Sequence, residues 1–419
     1  MEKFIIRGGK PLSGKVSISG AKNAALALMP ATLLNSGLNT IYNTPEVNDI
    51  YTMMKLLKHL GVDAGFKNFT MTLNTTNVNN QEAPYEHVKK MRASVYVLGP
   101  LLARYGYAKV SLPGGCAWGP RPINLHIESM KKLGANVEIE EGYIIAKASR
   151  LKGAKINFDV SSVGATGNSL MAAVLAKGST LITNAAQEPE ITLLEQHLLK
   201  MGAKISGIGT SSLEIEGVDE LKPVEIINIS DRIEAGTLCL ASAITKSKIE
   251  IEYSNPEYLE SLFSKLEDSG AKVSIDENII TVNAINFFPK SIDLSTAIFP
   301  GFPTDLQAQW TAYMTLADKT ATITDTIYHD RFKHVPELNR LGADIEIINN
   351  SAVVKGVKKI TGAKVMSTDL RASASLVLAG LAAEGITEVL RIYHIDRGYQ
   401  RIEEKLQQLG ADIERVQTT

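Results

Sequence analysis

The 419-residue chain is poor in cysteine, with only Cys116 and Cys239, and has just two tryptophans. Two cysteines make no disulfide framework, and their sparing use fits a reducing cytoplasm. Long apolar runs are also missing. No stretch of about 18 apolar residues could span a bilayer, and the opening Met1-Glu2-Lys3-Phe4-Ile5-Ile6-Arg7 lacks the apolar core of a secretory signal. Nor is there an excess of either charge, since 44 Lys and Arg stand against 45 Asp and Glu. With no global field to recruit nucleic acid or an acidic membrane, anion binding has to come from local clusters. The seven histidines show no ligand-like spacing with cysteine or carboxylate, so neither a metal nor a cofactor is expected. There is no Walker loop and no dinucleotide fingerprint. The nearest approach, Ile205-Ser206-Gly207-Ile208-Gly209, lacks the third glycine, which disfavours kinase and dehydrogenase chemistry.

What remains is an ordinary globular composition, 44% apolar and 21% charged, in a chain long enough for two domains. Its main feature is an internal repeat. A phrase ending Gly-Ala (Gly-Val in the first copy) closes six amphipathic patterns, at Gly61, Gly134, Gly202, Gly270, Gly342 and Gly410, spaced by about 70 residues. Each reads as a helix stopped by glycine and followed by an alternating strand such as Asn136-Val137-Glu138-Ile139-Glu140. A turn and a second strand often come next, the signature of a hairpin. Roughly 40 residues before each glycine a second helix opens, at Gly20-Ala21-Lys22-Asn23, Met91-Arg92-Ala93-Ser94, Val163-Gly164-Ala165-Thr166-Gly167-Asn168, Asp231-Arg232-Ile233-Glu234, Pro303-Thr304-Asp305-Leu306 and Thr368-Asp369-Leu370-Arg371. Several of these openings carry Ser, Thr or Asp where an N-cap sits. The helices themselves are apolar nearly all round, as in Leu376-Val377-Leu378-Ala379-Gly380-Leu381-Ala382, and helices of that kind are buried.

Each unit therefore reads as strand, buried helix, strand, amphipathic helix and hairpin, an α/β arrangement with three units per domain. The sixth unit ends one strand after its helix, and the N-terminal strands have no earlier unit to join. Pairing the two chain ends closes both, which gives one domain of residues 21–229 and a discontinuous one of residues 1–20 and 230–419.

Charged residues concentrate at the repeat junctions. Lys22, Arg92, Arg232 and Arg371 lie at or near helix openings, where unpaired amides and the helix dipole favour anions. Arg121, Arg331 and Arg397 lie in loops. So many cations suggest substrates bearing several negative charges, phosphates and a carboxylate above all. Gly114-Gly115-Cys116-Ala117-Trp118-Gly119-Pro120-Arg121-Pro122 can be neither helix nor central strand, so it is a loop. Its thiol is either inert or, beside Arg121, shifted toward thiolate. Asp305 reads locally as a helix cap, with a general base facing substrate as the alternative. Glu188 and Glu190 share that ambiguity, whereas Cys239, inside an apolar helix, reads as core.

These motifs carry a resemblance. Gly20-Ala21-Lys22-Asn23-Ala24-Ala25, Met91-Arg92-Ala93-Ser94, Gly114-Gly115-Cys116-Ala117 and Ser162-Val163-Gly164-Ala165-Thr166 are four of its marks. Asp231-Arg232-Ile233-Glu234, Phe302-Pro303-Thr304-Asp305, Asp369-Leu370-Arg371 and Asp396-Arg397-Gly398-Tyr399 are others. From end to end the chain resembles the UDP-N-acetylglucosamine enolpyruvyl transferases. The resemblance implies two inside-out α/β barrel domains, each of three βαβαββ repeats. It implies transfer of the enolpyruvyl group of phosphoenolpyruvate to the 3-hydroxyl of UDP-N-acetylglucosamine, with release of phosphate, in a cytoplasmic enzyme of peptidoglycan synthesis. Asp305 is then expected to take the hydroxyl proton, and Lys22, Arg121 and Arg397 to hold phosphoenolpyruvate. Cys116 is expected to donate a proton or assist product release, to form an adduct with phosphoenolpyruvate, and to be alkylated by fosfomycin. The uridine diphosphate is expected along Arg121, Pro122, Ile123, Asn124 and Leu125 and along Ser162, Val163 and Gly164. Asn23, Arg92, Ile327, Arg331 and Arg371 complete the expected substrate contacts. Val160 departs from the pattern, because some members carry a lysine there, and Trp118 is bulkier than its loop requires. The sister activity, 5-enolpyruvylshikimate-3-phosphate synthesis, remains as the alternative, although it needs no cysteine in that loop.

Overall fold

The computed structural model describes residues 2–89, 91–112 and 123–417. Cys116, Trp118, Arg121 and Pro122 lie outside the described residues. Two compact units divide the chain, one of residues 20–229 and the other of residues 1–19 with 230–419. Each has its own hydrophobic core.

Three helices make the interior of each unit. In the first they are Lys22–Ala31, Val163–Ala173 and the run from the 3-10 turn Arg92–Val97 into Leu98–Tyr105. In the second they are Arg232–Ile244, Gln307–Met314 (entered by the 3-10 turn Thr304–Leu306) and Leu370–Ala382. Every residue of Arg232–Ile244 and of Gln307–Met314 is buried, as helices with no polar face require, and the buried Gln307 and Gln309 bond within the interior. Cys239 is among them, fully buried, and burial pushes its thiol up to about 12, so it is an inert core residue.

Among the described residues, six four-stranded sheets share one order, an edge strand parallel to its neighbour followed by an antiparallel pair, which in five of them is a hairpin. One sheet shows the pattern. Glu225–Ile227 runs parallel to Leu38–Tyr42, which pairs antiparallel with Thr70–Asn74, and that strand pairs with Asp63–Lys67. The sixth sheet is completed by the opposite end of the chain. Glu2–Arg7 lies between Ile386–Leu390 and Asp412–Gln417, with Glu2 opposite Gln417 and Arg7 opposite Asp412. Ser13–Ser17 then opens the fourth sheet beside Lys248–Glu252. Repeated strand–helix–strand–helix–hairpin units around buried helices are the α/β arrangement expected from the repeat and fit the inside-out architecture that the resemblance implies.

The six repeat glycines all adopt positive φ, at 99°, 90°, 106°, 108°, 93° and 92° in chain order. That conformation turns the chain from each amphipathic helix into its strand. Among the described residues, no helix is long and apolar enough to cross a membrane.

At Gly410 an added Cβ meets nothing within 4 Å, so substitution there carries only the conformational cost. Gly410→Ala is expected to lower stability by about 1–2 kcal/mol. Urea unfolding checks this, with a lower midpoint at unchanged slope as the expected result.

Candidate active site

Lys22, Asn23, Arg92, Ser162, Arg232, Asp305 and Arg371 stand at the openings of the interior helices, where an apolar helix tolerates charge, whereas Arg331 and Arg397 lie elsewhere. Side-chain caps form at three of the six. The Ser162 hydroxyl accepts from the Ala165 amide at 3.3 Å. Asp231 accepts from the Ile233 and Glu234 amides at 2.8 and 3.1 Å, and Asp369 from the Arg371 and Ala372 amides at 2.9 and 3.0 Å. These caps fix the first turns that carry Arg232 and Arg371.

In the unit of residues 20–229, Lys22 is buried and its ammonium donates to Asp49 at 3.2 Å. Asn23 follows, half-buried. Arg92, also half-buried, opens its own helix. His126 is buried nearby, and burial, reinforced by the Arg92 charge, pushes its imidazole down to about 4, so it is neutral at physiological pH. Its Nδ1 lies 2.9 Å from the Asn168 side-chain nitrogen, while the Asn168 carbonyl takes the Gly99 amide at 2.8 Å. A Cβ built on Gly164 would sit 3.2 Å from His126 Nε2, so the Ser162–Gly164 opening and this imidazole meet closely. Ile123 and Leu125 are half-buried, and Asn124, first residue of the helix Asn124–Lys132, is exposed. Val163 is exposed, as is Val160. Glu188 and Glu190 stand at the start of Pro189–Met201, Glu190 buried in its first turn.

In the other unit the capping reading of Asp305 is corrected. The N-cap positions there are Pro303 and Leu306, and neither uses a side-chain bond. Asp305 instead takes Arg331 on Oδ1 at 2.7 Å and Arg371 on Oδ2 at 2.6 Å. Both guanidinium groups are buried, whereas Asp305 keeps 24% of its side chain exposed, so it is the member of the triad that solvent reaches. Burial opposes its ionisation, but the two guanidinium charges outweigh that and hold its carboxyl well below the usual carboxylate range.

Further contacts lock the arginines. Arg371 also donates to Tyr399 Oη at 3.3 Å, and its guanidinium lies 5.6 Å from that ring's centre. Tyr399 Oη is within hydrogen-bond reach of Thr237 at 2.9 Å and accepts from Gln309 at 3.1 Å. Arg331 donates to Thr304 Oγ1 at 3.0 Å, and Thr304 donates to Asp325 at 2.6 Å. Asp325, fully buried, accepts from Thr296 and from the Ile327 and Tyr328 amides. It thereby orders the stretch that carries Ile327 and Arg331. Arg397 ends the 3-10 turn Ile392–Arg397, half-buried.

The structure thus brings Asp305, Arg331 and Arg371 together, and Gly164 close to His126. Sequence reading missed Asp49, His126 and Asp325, and it gave Tyr399 no role. His126 could have been found because it directly follows the Arg121–Leu125 stretch. An ionised, half-buried carboxylate between buried guanidinium groups, with Arg232 at a further opening of the same unit, suits binding of a polyanion and proton transfer at that carboxylate.

Comparison with known proteins adds to this geometry. Residues 6–406 match the family model described as EPSP synthase (3-phosphoshikimate 1-carboxyvinyltransferase). The UDP-N-acetylglucosamine 1-carboxyvinyltransferase of Chloroherpeton thalassium is 59% identical over 419 residues, covering 99% of this chain and 97% of the relative. That of Chlorobaculum parvum is 56% identical over 420 residues, covering 100% of this chain and 99% of the relative. Among solved structures, the enolpyruvyl transferase NikO from Streptomyces tendae shares the fold at TM-score 0.90 and 24% identity, covering 100% of this chain and 99% of that one. EPSP synthase from Acinetobacter baumannii follows at 0.76 and 18%, with all of both chains covered.

Because Asp305 has a depressed pKa, its pairing contributes stability fully above the ordinary carboxyl value of 3.8. The contribution is lost as pH falls through the lower folded-state value, each tenfold difference in proton affinity being worth about 1.4 kcal/mol. Carbon-13 NMR should find Asp305 still ionised below pH 3.8, and Arg371→Met should move its titration up toward that ordinary value.

Proposed function

The chain belongs to the enolpyruvyl transferase family, and we propose that it moves the enolpyruvyl group of phosphoenolpyruvate to the 3-hydroxyl of UDP-N-acetylglucosamine. The observation that carries this reading is the 59% identity, over nearly the whole chain, to a relative named for that sugar nucleotide. Phosphate is the second product. The reaction is an addition followed by an elimination. Carbon 3 of phosphoenolpyruvate gains a proton while the sugar oxygen bonds to carbon 2 and its hydroxyl proton leaves. The ketal then loses phosphate and a proton from carbon 3, restoring the double bond in the product.

Asp305 takes the hydroxyl proton. In the paired state it is a weak base, because Arg331 and Arg371 hold its charge. An incoming phosphate and carboxylate compete for guanidinium groups, and each one drawn away raises the basicity of Asp305 at the moment it is needed. Lys22, Arg121 and Arg397 hold phosphoenolpyruvate and stabilise charge developing on it. The uridine diphosphate lies along Arg121–Leu125 and Ser162–Gly164, with Asn23, Arg92 and Ile327 also touching substrate. Since Val160 offers no ammonium, the amides at the Ser162–Gly164 opening serve the diphosphate there. Cys116 donates the proton or assists product release, forms the phosphoenolpyruvate adduct and is the residue fosfomycin alkylates. The setting is the cytoplasm, at the first committed step of peptidoglycan synthesis, which supports cell shape and division.

Two variants test the reading. Asp305→Ala is expected to slow phosphate release from phosphoenolpyruvate and UDP-N-acetylglucosamine by about a hundred- to ten-thousand-fold. A rate near wild type removes Asp305 as the base. Cys116→Asp is expected to retain transfer and escape fosfomycin, because a carboxyl donates a proton yet is not alkylated as a thiol is. Mass spectrometry locating the drug on Cys239 contradicts the role given to Cys116.

A further inference from the structure

Arg415, on the C-terminal strand Asp412–Gln417, gathers three carboxylates from three different segments. Its Nη2 donates to Asp396 Oδ1 at 2.7 Å and its Nη1 to Asp396 Oδ2 at 3.0 Å, a two-pronged grip on one carboxylate. Nε donates to Glu403 at 2.6 Å, and Nη1 also reaches Glu2 at 3.0 Å. The guanidinium lies 5.1 Å from the centre of the Phe4 ring. Only a planar guanidinium fits this set, since an ammonium on a flexible stem cannot grip Asp396 with two parallel bonds and reach Glu403 as well.

Asp396 directly precedes Arg397, and Glu403 lies just beyond it in the helix Ile402–Gln408. Asp396 and Arg397 lie within a segment bracketed by Arg391 at φ 58° and Arg401 at φ 43°. Residues with side chains hold that left-handed conformation only where their surroundings impose it. Arg415 grips a carboxylate inside this segment and another at its exit.

We propose that Arg415 is a positioning residue, holding the Arg391–Arg401 segment so that Arg397 meets the phosphoenolpyruvate anion. This inference rests on the function proposed above. Without Arg415, three carboxylates face one another uncompensated, and Arg397 loses the anchored neighbour that fixes its backbone.

Arg415→Met and Arg415→Lys test it through steady-state kinetics and hydrogen–deuterium exchange on the full chain. The methionine variant is expected to raise KM for phosphoenolpyruvate about tenfold while KM for UDP-N-acetylglucosamine and kcat stay within about twofold. The lysine variant, which keeps the charge but loses the fork, should fall between, and it decides the matter if the methionine variant does not fold. Amides of residues 391–401 should exchange faster in both variants, with those of residues 20–229 unchanged. An unchanged KM for phosphoenolpyruvate, equal changes for both substrates, or unaltered exchange overturns the proposal. A wild-type protein that releases no phosphate refutes the function instead, and exchange alone then decides whether Arg415 holds the segment.

Discussion

Six interior helices that carry no ionised side chain between their first and last turns impose the constraint on which the rest depends. Such a helix has no side on which to carry an ionised group, so charge is confined to its ends. Lys22, Arg92, Arg232 and Arg371 all fall in first turns, and Ser162, Asp231 and Asp369 cap the helices there. The same ends expose unpaired amides and the positive pole of the helix dipole. Burial thus sorts the polar residues to the positions where an anionic substrate is best received.

The cations are tempered by a few carboxylates whose placement decides the chemistry. Asp305 bridges two buried guanidinium groups that would otherwise repel each other, leaving one positive charge over, and breaking such a cluster by removing one partner is costly. Lys22 has Asp49 in the same way. In the proposed function a substrate anion would draw guanidinium groups from Asp305, which becomes a better base as it loses them.

Much of this was legible in the sequence because local rules govern it. Helix-stopping glycines at positive φ, three capped openings, apolar helices and an interior Cys239 all follow from residues close in sequence. Asp305 misled for the converse reason. Its neighbours suggest a cap, while its true partner Arg371 lies 66 residues further on. Asp49, His126 and Asp325 were missed likewise, since a buried polar residue owes its role to partners that topology supplies. The pairing of Glu2–Arg7 with Asp412–Gln417 was expected only because the repeat left one strand over at each end.

The proposed function has these cations and the half-buried Asp305 serve a sugar nucleotide. Phosphate release from phosphoenolpyruvate, measured side by side with UDP-N-acetylglucosamine and with shikimate-3-phosphate as acceptor, tests it most directly. The account predicts release with the sugar nucleotide alone. Release with shikimate-3-phosphate alone contradicts it and assigns the chain to the sister activity.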